Sequence, residues 1–185
     1  MPVRQYLALL RGINVGGRNP VAMTDLRAAL EGAAYGDVRT YIQSGNVLFT
    51  TSARAPSLEA DVERVLEERF GIPIVVVVRS HAQVRNLVTA APEGFGTEPD
   101  RYHSDAVFLK APLRAAAVMG FLELRDGVDR AWPGRGVVYF QRLSAERTRS
   151  RMSRIVARPE YQQMTIRSWS TTTKLLAMLD AHPGA

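Results

Sequence analysis

The order of the apolar segments predicts an α+β protein made of two tandem ferredoxin-like (split βαβ) subdomains packed together. Short apolar runs of strand length alternate with longer segments in which apolar residues recur at helical spacing. In the first half the order is strand, helix, strand, strand, helix, strand, as in a split βαβ unit. The second half has a similar order of elements, but its letters do not repeat those of the first.

The first half begins with a strand and a helix. Tyr6–Leu10 is almost wholly apolar, as expected of a strand covered on both faces. A helix is predicted after Thr24, a residue suited to the N-cap, because the apolar residues of Leu26–Ala33 share one helical face. Thr40–Phe49 then has the pattern of a hairpin, with Ser44-Gly45-Asn46 at a tip that can bind something.

A second helix and a fourth strand complete the first half. Ser57 is the predicted N-cap of a helix that runs to Phe70, where Gly71 and Pro73 end it. Ile74–Val78 is the fourth strand, which lies at a sheet edge in this arrangement. Because a bare apolar edge invites aggregation, we expect the second half to cover or extend it.

The second half follows a connector helix and loop, so the predicted domains are 1–80, 81–104 as the connector, and 105–185. A hairpin turn is predicted at Pro133–Gly136. The predicted elements are strand Asp105–Lys110, helix Leu113–Leu124, strands Val128–Trp132 and Val137–Arg142, helix Glu146–Ala157, strand Gln163–Trp169 and helix Thr171–Leu179.

The composition excludes several classes of protein. The chain of 185 residues has no cysteine, which excludes a disulfide framework, a thiol nucleophile and cysteine-ligated zinc. No apolar run approaches the roughly 18 residues of a membrane helix. We therefore expect a cytoplasmic protein without membrane contacts, monomeric or homodimeric, with no metal and no cofactor.

The net charge of +6 is unevenly distributed. Residues 1 to 80 carry nine basic and eight acidic groups, whereas residues 81 to 185 carry fifteen and ten. Of the 24 basic residues, only Lys110 and Lys174 are lysines. Arginine favours planar contacts with phosphate and carboxylate, although a GC-rich genome also explains its abundance. Any anion site is expected to involve the second half.

The glycine-rich loop Gly12–Gly17 joins a strand to a helix, where backbone amides can hold a phosphate. It lacks the Gly-Lys-Ser/Thr ending of a P-loop and the spacing of a dinucleotide fingerprint. We interpret it as a structural turn.

A row of arginines in the predicted helix Glu146–Ala157 is the strongest electrostatic feature. On an α-helix the four side chains would fall within about 60° of arc. The four guanidinium charges repel one another unless an anion, or carboxylates from elsewhere in the chain, face them. The row is either a solvated outer face or a contact surface for phosphate or RNA. Its members are Arg147, Arg151, Arg154 and Arg158.

The segment Thr165–Lys174 joins the last strand to the last helix, and Ser170 or Thr171 can cap that helix. Thr171 and Lys174 also have the Ser-x-x-Lys spacing of some acyl-transfer enzymes, whose other motifs are missing. His103 can serve as a general base if it lines a cleft, and is otherwise an ordinary loop histidine. No histidines are paired at metal-ligand spacing.

Four stretches carry a family resemblance. They are Leu10–Gly17, Thr40–Val47, Ser150-Arg151-Met152 and Thr165–Leu175. Together they resemble the bacterial domain-of-unknown-function family 1697 (DUF1697). The resemblance implies a duplicated α+β fold of two ferredoxin-like subdomains and brings no established activity, substrate or cofactor. It also implies that seven residues belong to motifs that recur in the family, and most of these residues are predicted at loop tips. They are Arg11, Asn14, Gln43, Ser44, Asn46, Arg167 and Lys174.

The leading hypothesis is a module that binds a small phosphorylated ligand or a polyanion such as RNA. Positive charge would come from both halves of the chain, and hydrogen-bond selection from the amides near the hairpin tip. The predicted ligand-binding residues are Arg11, Asn14, Arg18, Gln43, Ser44, Asn46, Arg151, Arg167 and Lys174.

Two alternatives remain open at this point. The first is an enzyme acting on a small phosphorylated or carboxylated substrate, with Arg167 and Lys174 as an anion clamp and His103 or Thr171 in the chemistry. The second is a homodimeric scaffold joined through the spare sheet edge.

Overall fold

The computed structural model describes residues 2–53 and 55–182. These residues form eight strands, five α-helices and three 3₁₀ segments. The strands are β1 Arg4–Leu10, β2 Gly36–Tyr41, β3 Asn46–Thr51, β4 Val76–Ser80, β5 Tyr102–Leu109, β6 Asp129–Gly134, β7 Val137–Leu143 and β8 Met164–Ser168. The helices are α1 Met23–Gly32, α2 Ala55–Phe70, α3 His81–Thr89, α4 Ala115–Phe121 and α5 Trp169–Asp180, and the 3₁₀ segments are Ser144–Arg149, Met152–Ala157 and Pro159–Gln163.

The chain divides into two compact units. The first lies within Met1–Arg85 and Leu175–Ala185, and the second is Asn86–Lys174. Helix α5 therefore begins in the second unit and ends in the first. The sequence-based division at residues 80 and 104 instead assigns all of α5 to the C-terminal subdomain.

The first unit contains a four-stranded antiparallel sheet in the order β2-β3-β1-β4. On one face of β1, the alternating residues Tyr6, Ala8 and Leu10 belong to a core that includes apolar residues of α1 and α2. The other face carries Leu7 and Leu9, which are also buried. Burial on both faces explains why β1 is apolar without alternation.

Strand β4 lies at the edge of this sheet, as predicted, and α2 closes part of that edge. The backbone N–H of Val76 donates to Glu63 at 2.8 Å, and that of Val78 donates to Glu59 at 3.0 Å. The two carboxylates thus accept hydrogen bonds from backbone N–H groups that could otherwise donate to an added strand.

The second unit contains the same arrangement, a four-stranded antiparallel sheet in the order β6-β7-β5-β8. Val107 and Leu109 of β5 pack in a core with Val118 of α4. Met152 and Ile155, from the second 3₁₀ segment, belong to the same core. The protein is therefore a mixed α/β chain with two antiparallel sheets and helices.

The predicted α-helix Glu146–Ala157 is wrong. Two short 3₁₀ segments, Ser144–Arg149 and Met152–Ala157, replace it, because Ser150 is extended with φ −59° and ψ 141°. Arg158 is extended as well, with φ −84° and ψ 138°, as expected of a residue that precedes a proline. The four arginines therefore do not form a row on one helix.

Several predicted boundaries also need correction. Thr24 and Ser57 lie inside α1 and α2, which begin at Met23 and Ala55. Ser168, not Ser170 or Thr171, caps α5. Strand β6 continues through Gly134, so the β6–β7 loop is the pair Arg135-Gly136. In the part of the chain that the structure describes, no helix has the length and apolarity needed to cross a membrane.

Candidate functional site

The predicted site residue Asn14 holds the loop after β1 to the hairpin tip. Its Nδ2 donates to the carbonyls of Val21 and Gln43, both at 2.9 Å, and its Oδ1 accepts the N–H of Val21 at 2.8 Å. Its φ of 54° is positive, a conformation that asparagine tolerates better than most residues. The amide is already used within the protein.

Asn46 has a similar structural role on the hairpin itself. It is fully buried, and its Nδ2 donates to the carbonyl of Tyr41 at 2.9 Å and to Ser44 Oγ at 3.0 Å. Gly45 beside it has a φ of 79°, and a Cβ there would lie 2.7 Å from Ile13 Cδ1. These contacts explain the Ser-Gly-Asn letters by the shape of the turn.

The remaining predicted residues of the first unit are less buried. Arg18 and Gln43 are exposed, and Arg11 is half-buried. Ile42 is exposed with a φ of 50°, which is rare for a β-branched residue. The first unit therefore presents Arg18 and Gln43 at its loops and uses Asn14 and Asn46 internally.

The predicted residues of the second unit do not form an exposed clamp. Arg167 is only 6% exposed, and burial lowers its pKa to about 10, so it stays charged at neutral pH. It donates to Thr165 Oγ1 at 2.8 Å and to the carbonyl of Ile166 at 2.9 Å. Lys174 is exposed on α5. Arg151 is half-buried and lies 3.9 Å from Glu123.

Two other arginines of the predicted row meet a carboxylate or a ring, and Arg147 is exposed. Arg154 forms an ion pair with Glu123, and Arg158 lies over the ring of Phe121 at 4.6 Å from its centroid. Distant carboxylates therefore face part of the row, and exposed ion pairs of this kind add little stability.

A cavity of about 370 Å³ lies in the second unit between β5, the loop after α3 and the start of α5. Four residues with hydroxyl side chains line it, together with residues His103, Tyr102 and Trp169. Its volume is in the range of small-molecule sites. The hydroxyl residues are Ser104, Ser168, Ser170 and Thr173.

His103 is backed by a buried carboxylate. Its Nε2 lies 3.1 Å from Asp105 Oδ1, and Arg142 lies 3.6 Å from the other carboxylate oxygen. Asp105 is only 5% exposed. Burial raises the pKa of Asp105 above its usual value, and the charges of His103 and Arg142 oppose that rise.

Two arginines and an aromatic cluster surround the cavity wall. Arg101 and Arg130 lie over the ring of Tyr102, at 5.0 and 5.6 Å from its centroid. Trp169 contacts Phe95 edge-on, with ring centroids 5.0 Å apart. The wall therefore combines positive charge with rings held by their neighbours.

The loop after α3 is fitted closely to Trp169. A Cβ added at Gly96 would lie 2.0 Å from Trp169 Cδ1, and the φ of Gly96 is 75°. Glycine is therefore required at this position for two separate reasons.

Comparison with known proteins places the chain in a family. The family described as "Protein of unknown function (DUF1697)" matches residues 3–139. The chain belongs to DUF1697. This DUF1697 protein is also similar to "conserved bacterial protein SP0830 from Streptococcus pneumoniae", with a TM-score of 0.82 and 25% identity over 96% of this chain and 99% of that one. Among curated proteins, none matches.

The sequence interpretation of this DUF1697 protein missed most of the cavity. It includes His103 as a candidate but not Tyr102, Ser104 or Trp169. The available signal was the run His103-Ser104-Asp105, three polar residues in a strand that is otherwise apolar and buried. Among the described residues, no group of three or more histidines or acidic residues could hold a metal ion.

Proposed function

We propose that this protein binds a small ligand carrying a phosphate or carboxylate group in the cavity of the second unit. The observation that carries the proposal is that four residues with hydroxyl side chains line one cavity beside the first turn of α5. Such convergent polar groups are what fix a ligand's orientation in small-molecule sites. The nearby Arg101 and Arg130 favour a negatively charged occupant.

The first turn of α5 supports the same proposal. Ser168 Oγ accepts the N–H of Thr171 at 3.2 Å, which fixes the helix start at the cavity. The first N–H groups of a helix have no partner within the helix, and the helix dipole favours negative charge there. Both effects add to the hydroxyl groups.

We also propose a finer description of the fold. In each sheet the first strand lies in the interior between the third and fourth, the order expected of a ferredoxin-like unit. The cytoplasmic location, the monomeric or homodimeric state and a role for RNA stay predictions.

The test is isothermal titration calorimetry with phenyl phosphate, benzoate and a short single-stranded RNA. Ser170→Trp places a large side chain at an exposed position on the cavity wall and is expected to abolish binding of the small anions. Ala177→Trp, also exposed on α5, is the matched control and should bind them as the unchanged protein does. Failure of all three probes to bind, or equal binding by both variants, would remove the proposal. Binding of RNA alone would favour the polyanion hypothesis instead.

A further inference from the structure

The indole N–H of Trp169 is an unused hydrogen-bond donor at the cavity. Trp169 lines the cavity, and so does Gly96, where an added Cβ would lie 2.6 Å from the indole Nε1. Among the residues that the structure describes, none accepts a hydrogen bond from this nitrogen, and the nitrogen is not sealed from solvent. An indole N–H can only donate. It is therefore open to an acceptor that enters the cavity.

The hydroxyl group of Tyr102 is in the same situation. Tyr102 is only 9% exposed and also lines the cavity. Its hydroxyl forms no hydrogen bond with the described part of the chain, and it too is not sealed from solvent. A buried tyrosine usually finds a hydrogen-bond partner for its hydroxyl group. An unpaired hydroxyl on a side chain that is nine-tenths buried at a cavity therefore indicates a contact with a ligand.

Ser104 supplies a third donor. It lies two residues after Tyr102, so the two side chains are on the same face of β5. Ser104 Oγ accepts from Gln141 Nε2 at 3.1 Å, which leaves its own hydrogen to donate. Two of the other hydroxyl residues, Ser168 and Thr173, donate within α5. The available donors are thus a specific subset of the residues that line the cavity.

These three donors are neutral. His103 stands between Tyr102 and Ser104 in the strand, so its side chain lies on the opposite face of β5. The described residues that line the cavity include no lysine, arginine or carboxylate. An anion in this cavity would be held by neutral hydrogen bonds and by the dipole at the start of α5. Because the indole can only donate, it favours a ligand oxygen that carries no hydrogen.

We propose that Trp169, Tyr102 and Ser104 determine the ligand specificity of the cavity, and that each donates one hydrogen bond to an ester of a tetrahedral oxyanion, either phosphate or sulfate. This inference rests on the proposed function and narrows its ligand. Three donors match the three terminal oxygens of such an ester better than the two oxygens of a carboxylate.

The two rings that carry donors are already fixed by their neighbours. The ring of Trp169 contacts that of Phe95 edge-on, with centroids 5.0 Å apart. The guanidinium groups of Arg101 and Arg130 lie over the ring of Tyr102, at 5.0 and 5.6 Å from its centroid. Side chains that are ordered before binding lose little conformational entropy when the ligand arrives. The donors are therefore preorganised for binding.

The first experiment is calorimetric titration at neutral pH with phenyl phosphate, phenyl sulfate and benzoate. Trp169→Phe, Tyr102→Phe and Ser104→Ala each remove one donor and should weaken the binding of both esters about tenfold, the effect of losing a hydrogen bond to a charged group. Trp132→Phe is the matched control, since Trp132 also contacts Phe95 but does not line the cavity. It should bind both esters as the unchanged protein does.

A second measurement reads the indole donor directly and needs no variant to bind the ligand. The chain has two tryptophans, so a proton–nitrogen correlation spectrum of the labelled protein shows two indole N–H signals. Trp132→Phe assigns them. When phenyl phosphate is added to the unchanged protein, the signal of Trp169 should move to lower field because its N–H donates to an oxyanion. The signal of Trp132 should stay in place.

The outcomes separate the two proposals. If none of the three ligands binds the unchanged protein, the proposed function itself fails. If the esters bind, but the three donor variants match the unchanged protein and the signal of Trp169 does not move, only the role of the donors fails. Benzoate binding as tight as that of the esters would exclude a tetrahedral oxyanion as the preferred group. A preference for one ester over the other supports the proposal and selects between phosphate and sulfate.

Discussion

The two units share a strand-to-helix junction that differs little between them. Each fourth strand ends in Arg-Ser, and a helix begins at the next residue. Arg79 donates to the carbonyl of Val78 at 2.8 Å, and Arg167 to that of Ile166 at 2.9 Å. Burial lowers the pKa of both arginines. Arg167 therefore has a structural counterpart, Arg79, in the other unit.

The units differ in the segment after their second hairpin strand. In the first unit α2 packs on the sheet and supplies Glu59 and Glu63 to the edge of β4. In the second unit three 3₁₀ segments replace that helix, and Asp129 Oδ2 anchors them by accepting the N–H of Arg151 at 2.9 Å. The sheet is common to both units, so they differ in what packs around it and not in strand order.

The largest expected effect concerns the edge of β4. Glu59→Ala should lower the free energy of unfolding by about 3 kcal/mol, because it leaves both the N–H of Val78 and the half-buried Arg79, 3.6 Å away, without this carboxylate. Glu63→Ala should cost about 2 kcal/mol, because one buried backbone donor loses its acceptor. Urea unfolding measures both.

The matched control for the edge is Glu63→Gln, whose amide oxygen can still accept the N–H of Val76. It should cost less than half as much as the alanine variant. Light scattering of the alanine variants checks the second consequence, association through the freed edge. If the alanine variants are as stable as the unchanged protein and monomeric, α2 does not protect this edge.

The shared junctions predict equal and smaller effects. Ser80 Oγ and Ser168 Oγ accept N–H groups of Gln83 and Thr171, at 3.3 and 3.2 Å. Ser80→Ala and Ser168→Ala should each lower the free energy of unfolding by about 1 kcal/mol, the usual value of an N-cap. Thr24→Ala, at a residue inside α1 that sequence alone assigns as a cap, should cause no loss. If the two serine variants differ clearly in the free energy of unfolding that they lose, the two junctions are not equivalent.

Local patterns explain which parts of the fold were predictable. The strands and α-helices of the first unit follow from apolar spacing and from Gly71, because each depends on neighbours in sequence. The 3₁₀ segments were not predictable in this way, since apolar residues such as Met152 and Ile155 recur at a spacing that also suits an α-helix. The extended backbone of Ser150 and the anchor at Asp129 come from distant parts of the chain.

The candidate site was harder to predict than the fold. Polar residues in recurring motifs suggested ligand contacts, yet the amides of Asn14 and Asn46 hold loops together. The cavity depends on the fit of Gly96 against Trp169, which lie 73 residues apart in sequence (169 − 96). Sequence spacing does not predict such a contact, whereas the polar run at the start of β5 does indicate one wall of the cavity.

The smallest expected effect is on how the free energy of unfolding depends on pH, and it arises from the buried carboxylate of Asp105. Because burial raises the pKa of Asp105 in the folded protein, the folded state holds its proton to higher pH than the unfolded chain. Stability therefore falls as the pH rises through that range, and the loss is complete above the raised pKa. Asn cannot ionise, so Asp105→Asn should be more stable than the unchanged protein at pH 7, by up to about 1 kcal/mol, and no more stable below the ordinary pKa of 3.8.

Asp180→Asn in the first unit should behave in the opposite way. Arg85 and His81 lower the pKa of Asp180, so its charge stabilises the fold above its ordinary pKa, and that contribution is lost as the pH falls. The variant should be less stable than the unchanged protein at pH 7 and equal to it in acid. Urea unfolding between pH 3 and 7 measures both differences.

If Asp105→Asn is instead less stable than the unchanged protein at neutral pH, the carboxylate stabilises the fold, and its burial does not indicate a functional site. A gain in stability would mean that the second unit keeps this buried charge at a cost to the fold, as proteins do where function outweighs stability.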